Sequence, residues 1–347
     1  MYIKKILVVI VLLGAVGMGA FAYYVYNTAF SGNTAFNNKE AHVYIPTNAT
    51  IADVVAELEP LIRNTESFYA VANQKKYSGN VKPGHFIIKR GMTNNDIVNV
   101  LRSRNIPINV KFNNQERLED LAGHISRQIE ADSISLLNAM REPQFLKEVG
   151  LNDETALSLY IPNTYEFYWN SSAETFRERM KTEYERFWNE SRTQKAKALN
   201  LTKNEVMALA AIVQKETAKV DERPKVAGVY VNRLKKGMLL QADPTVIFAI
   251  KRESGNYNQI IKRVLYKDLE LDSPYNTYKY AGIPPGPIAM PDISSIDAVL
   301  NPESHDYYYF VADVTNFGYH KFAKTLAQHN VNKVEYVRWV NAQGLNR

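Results

Sequence analysis

The sequence predicts an α+β protein of more than one domain, carried on one N-terminal transmembrane helix. Three observations predict it. Residues 6–26 form an uncharged apolar run. Short strand signals alternate with capped amphipathic helices between residues 42 and 125. From Leu201 to about Asn330, helices give way to turns rich in Pro and Gly and then to a strand. Units of this kind pack as α+β layers, with helices gathered against small sheets.

The first element is the run ILVVIVLLGAVGMGAFAYYVY, Ile6 to Tyr26. A helix needs about 20 apolar residues to cross a bilayer. Lys4 and Lys5 precede the run, and the next cation is Lys39. The positive-inside bias makes residues 1–5 a cytoplasmic tail and puts the rest of the chain outside. Tyr23, Tyr24 and Tyr26 suit the outer interface. The alternative is a cleaved signal peptide, whose apolar core is about 7–15 residues and ends in an A-x-A-like site. Gly17-Met18-Gly19-Ala20 matches that poorly, so the anchor is preferred. Residues 27–41 read as a tether, because Ser31–Ala41 (SGNTAFNNKEA) is polar and without periodicity.

Composition narrows the chemistry. The chain has no cysteine, which excludes disulfides, thiolate nucleophiles and Cys-ligated metals. The net charge is +6, with Lys and Arg dispersed rather than arranged in a nucleic-acid-binding stripe. A mild positive excess suits anionic lipid or an anionic polymer such as cell-wall glycan; solubility alone explains it equally well. Tyrosine is abundant, 22 against 3 Trp. Its flat face and hydroxyl suit sugar binding, and they also suit ordinary cores.

The first domain is placed at residues 42–105. Tyr44-Ile45 is a strand signal, and Thr50-Ile51-Ala52-Asp53 opens a helix with Ile51, Val54, Val55 and Leu58 inward. Phe86-Ile87-Ile88 is a second strand signal, and Thr93-Asn94-Asn95-Asp96 opens a helix with Ile97, Val98 and Leu101 inward. In each T-x-x-D the Thr hydroxyl can cap the first turn while the Asp favours its positive end. A weaker copy runs from Val110-Lys111-Phe112 to Asp120, Leu121 and Ile125. Chance sharing of capping patterns is the alternative to a true repeat.

The second domain is placed at residues 106–347, with its core at 201–330. Residues 133–200 read as mainly helical: one helix opens at Asp132-Ser133, and one long charged helix runs from Ala173 to about Ala198. Between them Leu159–Tyr168 is an aromatic-rich loop or strand. Thr202 and Glu205 form a capping box. Val206, Leu209, Val213 and Glu216 then follow at spacings of three, four and three, which puts them near one face of a helix. Gln214 and Lys215 point elsewhere. Glu216 thus closes an apolar stripe at the helix C-terminus. Desolvation and the negative end of the helix dipole both make such a carboxyl hold its proton longer. An acid of that kind can protonate a glycosidic oxygen as the bond breaks. The plainer reading is a solvated or salt-bridged Glu near Lys215, Lys219 and Arg223.

A second helix, Val226–Leu234, carries a small-residue face able to lie against the first, and Lys235-Lys236-Gly237-Met238 ends it with a glycine. Asp243 precedes Pro244 and is biased to extended backbone. Gln241 and Thr245 then project on its side, as a polar row for sugar hydroxyls or as a structural turn. A strand at Tyr307–Ala312 and a helix from about Lys333 to Ala342 complete the chain.

Several of these segments together resemble the MltG (YceG-like) family of endolytic murein transglycosylases. They are Ala211–Thr217 (AIVQKET), Val226–Leu234 (VAGVYVNRL), Gly237-Met238, Leu240–Val246 (LQADPTV), Tyr275–Tyr278, Gly282–Ile288 (GIPPGPI), Tyr309–Ala312, Gly318–Phe322 and His329-Asn330. The resemblance implies a single-pass inner-membrane protein with a LysM-like α+β subdomain and a periplasmic mixed α+β catalytic domain. It implies cleavage of the MurNAc–GlcNAc bond within nascent strands, leaving a 1,6-anhydroMurNAc end. The second Glu of the family's E-K-E-T-like motif matches Glu216, the implied catalytic acid; the first is Gln214 here. The family's Pro-Asp-Thr-Tyr is Pro162-Asn163-Thr164-Tyr165 in this chain. Around the cleft the resemblance places Asn232, Gln241, Asp243, Thr245, Asn276, Tyr278, His320 and His329 as substrate-binding candidates. No cofactor or metal is implied, since one acid and the sugar's own C6 hydroxyl suffice. The implied partners are peptidoglycan strands, the membrane and, at family level only, peptidoglycan synthases; nucleic acid is not among them.

Two other readings remain at this stage. If Asp243 faces Glu216, a two-carboxylate muramidase-type hydrolase is the rival. A non-catalytic peptidoglycan-binding scaffold is the other. A peptidase or amidase is disfavoured, because the chain lacks cysteine, an H-E-x-x-H spacing and a G-x-S-x-G elbow.

Overall fold

The structure is a computed structural model and describes residues 2–343. Met1 and residues 344–347, the ends of the expected tail and second domain, lie outside the described residues. Helix and strand are mixed, as the α+β reading requires. The chain divides into two compact units: residues 1–110 with 127–131 and 165–172, and residues 111–126, 132–164 and 173–347. The two short excursions, 127–131 and 165–172, were expected in the second domain and group with the first.

Helix α1 (Tyr2–Phe30) is longer than the apolar run that predicts it and is apolar enough to cross a membrane. Strand β1 (Glu40–Ile45), helices α2 (Ile51–Leu58) and α3 (Thr65–Gln74), strand β2 (Gly84–Lys89) and helix α4 (Asn94–Leu101) follow. β1 and β2 pair antiparallel, Val43 opposite Phe86 and Ile45 opposite Gly84. Alternation buries Val43, Ile45, Phe86 and Ile88 beneath Val54 and Leu58 of α2, Phe68 of α3 and Ile97 of α4. Thr50–Asp53 and Thr93–Asp96 are reciprocal capping boxes, so both helix starts fall where the sequence puts them. Helix α3 was not anticipated; its cap, Asn64, accepts from the Ser67 amide at 2.7 Å.

The tether reading of Ser31–Ala41 is overturned. Asn33 and Thr34 are buried. The Asn33 side-chain amide donates to the Asn64 carbonyl at 2.9 Å and to Asn94 Oδ1 at 2.6 Å, and Thr34 Oγ1 accepts from the Gly91 amide at 2.7 Å. Polar side chains that satisfy backbone groups carry no hydrophobic period, which is why the segment reads as unstructured.

Strand β3 (Ile108–Phe112), helices α5 (Leu118–Ile125), α6 (Ser133–Met140) and α7 (Pro143–Glu148) and strand β4 (Asn163–Phe167) come next, and β3 and β4 form a two-stranded sheet. The single long helix expected over 173–198 is two, α8 (Ala173–Phe187) and α9 (Glu190–Ala198). Asn189 breaks it by capping α9, accepting from the Arg192 amide at 3.0 Å, while Trp188 turns into the core.

Helix α10 (Lys203–Glu216) is the centre of the second unit. Every residue from Val206 to Val213 is buried, so it is covered on all sides rather than along one stripe. It packs against α11 (Arg223–Lys235), α12 (Asp243–Ser254) and α13 (Ile293–Leu300). α11 lies against α10 as expected, and its small-residue face also meets a further neighbour. A Cβ on Gly228 would lie 2.5 Å from the Glu303 carbonyl oxygen and 2.6 Å from His305 Nε2, so this glycine admits the 303–305 segment. The hairpin β5 (Tyr309–Ala312) and β6 (His320–Ala323) and helix α14 (Leu326–Ala342) close the unit; α14 begins earlier than expected because Thr325 caps it.

The tight approach at Gly228 yields a measurable expectation. Gly228→Ala should lower stability by about 1–3 kcal/mol, the usual cost of overpacking. Thermal denaturation checks it, and an unchanged melting temperature would show that the 303–305 segment yields freely.

Candidate active site

Glu216 is the last residue of α10 and lines a cavity of about 280 Å³. Tyr230 and Arg233 from α11, Asp243 at the start of α12, Gln241 just before it, and Tyr278 line the same space. Tyr309 and Phe310 from β5, with Leu326 and His329 from α14, complete it. Glu216 as a whole is half-buried. Burial pushes its pKa up to about 7, and the negative charge of Asp243 adds to the rise; the hydrogen bond from Tyr230 and the Arg233 cation oppose it. The Tyr230 hydroxyl donates to Glu216 Oε1 at 2.7 Å. Tyr230 is itself buried, and burial followed by the Glu216 charge keeps its phenol far above the usual range. It is therefore a fixed donor rather than an acid of use near neutrality.

Arg233 is a buried cation held by carbonyls. Its Nε donates to the Tyr308 carbonyl at 2.6 Å and its Nη1 to the Leu240 carbonyl at 2.6 Å. The guanidinium also lies 5.4 Å from the Tyr309 ring centre. It ties the 239–240 turn and the β5 hairpin to α11 while keeping positive charge beside the acid. Tyr278 donates its hydroxyl to Asp243 Oδ1 at 2.6 Å. His329 stacks on Tyr309, ring centres 5.3 Å apart. Its Nδ1 is buried without a hydrogen-bond partner, and burial, then Lys333 and Arg233, push its pKa below the usual value. A neutral imidazole with an unused polar atom therefore stands at the wall of the cavity.

The cavity thus gathers Glu216, Gln241, Asp243, Tyr278 and His329 from the sequence-derived set. The other four serve the framework. Asn232 donates to the carbonyls of His305 (2.7 Å) and Tyr307 (3.1 Å). Thr245 is fully buried, donating to the Ala242 carbonyl at 2.7 Å and lying 2.8 Å from Thr277 Oγ1. Asn276 is fully buried and donates to the Leu269 and Leu271 carbonyls. His320 pairs through Nδ1 with Glu222 at 2.8 Å. The extended row at 241–245 does not form. Gln241 takes a positive φ of 50°, and Pro244 sits in the first turn of α12, where its missing N–H costs nothing. That turn leaves Asp243 in the cavity and sends Thr245 into the core. Gln214 lies outside the cavity, donating to the Met290 carbonyl at 3.3 Å and accepting from the Asp292 amide and Ser295 hydroxyl. Among the described residues no group of three or more His, Asp or Glu could hold a metal ion.

Comparison with known proteins bears on this geometry. Residues 43–335 match the model of the YceG-like family. The chain belongs to that family. Among YceG-like relatives, a Bacillus subtilis protein named endolytic murein transglycosylase is 29% identical over 85% of this chain and 84% of its own length. A Streptococcus pneumoniae protein of the same name is 27% identical over 87% of this chain, which spans only 59% of that longer relative. The crystal structure of a YceG-like protein from Listeria monocytogenes is 29% identical, with a TM-score of 0.57, covering 85% of this chain and 99% of that one.

The sequence reading passed over Tyr230, Arg233, Tyr309, Phe310 and Leu326. Tyr230 and Arg233 stand three apart on α11 and so share a face; a Tyr and an Arg on a helix otherwise rich in Val, Ala and Gly were the available signal.

The raised pKa has a cost in stability that can be read by titration. An unfolded glutamate ionises near 4.5 and this one near 7 in the folded chain. Ionisation therefore weakens the fold progressively as pH rises between those values, and by a constant amount above them. Glu216→Gln should be more stable than the parent above neutrality, by up to about 3 kcal/mol, and equal to it in acid. Melting both proteins from about pH 4 to 8 tests this; a gap that does not vary with pH would mean the carboxyl is solvated.

Proposed function

We infer that the protein is a membrane-anchored endolytic murein transglycosylase with Glu216 as its acid. The observation that carries this reading is a carboxyl group pushed up to about 7 in a cavity lined by aromatic and polar side chains. The names of the relatives give the substrate class, and α1 supplies a segment of membrane-spanning length. The strand–helix–helix–strand order of the first unit supports reading it as a LysM-like module that holds glycan, with the catalytic unit on the outer side of the membrane.

In the reaction, protonated Glu216 donates to the glycosidic oxygen as its bond to C1 of the muramic sugar breaks. Positive charge develops at C1. The carboxylate left on Glu216 takes the proton of that sugar's C6 hydroxyl, whose oxygen closes onto C1. The anhydro ring forms, the acid is regenerated, and no water is consumed. The internal nucleophile has a large proximity advantage. Tyr230 holds Oε1, leaving Oε2 to carry the proton. Arg233 and the Tyr230 hydroxyl favour the carboxylate once it forms; Asp243 favours the acid before. This balance keeps the group near neutrality, where an acid that must also act as a base works best.

A second reading is favoured by one observation: Asp243 lines the same cavity as Glu216. A carboxylate there could direct water to C1, giving a hydrolase. Mass analysis of products from nascent strands separates the two, since an anhydro end is lighter than a hydrolytic end by one water. Glu216→Gln should lose about a hundredfold to ten-thousandfold in kcat under either chemistry, the scale of removing a general acid. Retained cleavage by that variant would sink the enzymatic assignment and leave a glycan-binding scaffold.

The pH profile gives a finer check. Activity should fall as pH rises above about 7, as Glu216 loses its proton. Tyr230→Phe removes a hydrogen bond that lowers that pKa, so its falling limb should move to higher pH. A limb that stays in place would mean another group controls it.

A further inference from the structure

A second cavity, of about 210 Å³, lies beside the first. Consecutive residues of two helices divide between them. Glu216 lines one and Lys215 the other; Asp243 lines one and Pro244 the other. The C-terminus of α10 and the N-terminus of α12 are thus the partition between the acid's cavity and its neighbour. The second cavity has an apolar floor of Pro244, Ile247, Phe248 and Ile288. Its rim is charged. Lys215 Nζ donates to Glu116 Oε1 at 2.9 Å and Lys251 Nζ to Glu116 Oε2 at 2.8 Å. One carboxylate faces two ammonium groups, so the rim carries a net charge of +1 at neutral pH. Lys215 remains substantially exposed, while Lys251 is largely covered.

This composition matches one part of murein better than the sugar ring. The muramic sugar bears a short peptide on its lactyl ether, a few bonds from the C1 that is cleaved. That peptide begins with a small apolar residue and carries free carboxylates. An apolar floor suits the first, and an ammonium pair in excess of its carboxylate suits the second. We propose that the cavity formed by Lys215, Lys251, Glu116, Ile247, Phe248 and Ile288 is a stem-peptide subsite that makes the enzyme select peptide-bearing strands over bare glycan. The proposal rests on the glycan-cleaving reading above and adds a specificity to it. Glu116 acts as an internal stand-in for the ligand carboxylate, holding both lysines extended until the substrate shares or displaces it. Long, flexible ammonium side chains held in advance lose less entropy on binding.

The test uses the full chain in detergent and glycan strands polymerised in vitro, either intact or stripped of peptides with an amidase. The wild type should show a kcat/KM about tenfold higher on intact strands, the scale of one charged hydrogen bond. In the Lys215→Gln/Lys251→Gln double variant the ratio between the two substrates should fall to near one. Glu116→Gln releases both lysines, so it should widen the ratio, chiefly through a lower KM on intact strands. A folding defect would lower activity on both substrates together and cannot widen a ratio, so the opposite directions of the two variants carry the test. A wild type that cuts both substrates equally well, or a double variant that keeps the full ratio, would overturn the proposal while leaving the activity standing. A wild type that cuts neither would overturn both.

Discussion

The second unit is built around a helix whose middle has no solvent face. α10 is buried from Val206 to Val213, so every neighbour is constrained to cover it, and at its C-terminal end Lys215 reaches solvent while Glu216 stays half-buried. Without a dry helix there would be no low-dielectric ground for Glu216, and a carboxyl with an ordinary pKa would be no acid at neutral pH. The surrounding elements then divide the work. α11 brings Tyr230 to hold the carboxyl and Arg233 to hold the walls; α12 brings Asp243 through a proline-started turn; the β5–β6 hairpin and α14 bring the aromatic and imidazole side. Each of these groups is fixed by bonds that do not involve a ligand. That is how a preorganised site differs from one assembled on binding.

Arg233 illustrates how framework and chemistry are joined. A buried cation without a carboxylate partner is costly unless its donors are used. Here the donors go to carbonyls of the 239–240 turn and of Tyr308, so the same residue that stitches the cavity together also leaves its charge uncancelled beside Glu216. A carboxylate placed to neutralise Arg233 would have relieved the burial and removed the electrostatic counterweight to Asp243.

Much of the fold was legible, and the reasons are local. Thr50, Thr93 and Thr202 announce their helices because a capping box is a contiguous signal made within one turn. The apolar spacing puts Glu216 at the end of its helix, where the structure also has it. What escaped was non-local. Thr245 and Asn276 look like polar cleft residues but satisfy buried carbonyls, and Thr245 also bonds the Thr277 hydroxyl. Nothing in a run of polar letters says whether its partner is a sugar or a carbonyl. Asp243 was read into extended backbone on the strength of the following proline, yet a proline in the first turn of a helix obeys the same φ restriction. Asn33 and Thr34, read as tether, are held by residues brought near only when the β1–β2 unit closes. Tyr230 and Arg233 stand in a helix of small residues, whose sequence signals close packing and not a cavity wall.

The wall of the cavity also has an order in time. Glu216 and its holder Tyr230 emerge from the ribosome well before the hairpin and α14, whose Phe310, Leu326 and His329 shut the far side. A domain folds as a unit, and these closing residues belong to the same compact unit as the acid. A chain cut short before the hairpin would leave its acid on an open shelf, wet and conventionally acidic. The protein is thus armed only when its closing segment is in place, a sensible arrangement for a protein able to cut the wall of the cell that makes it.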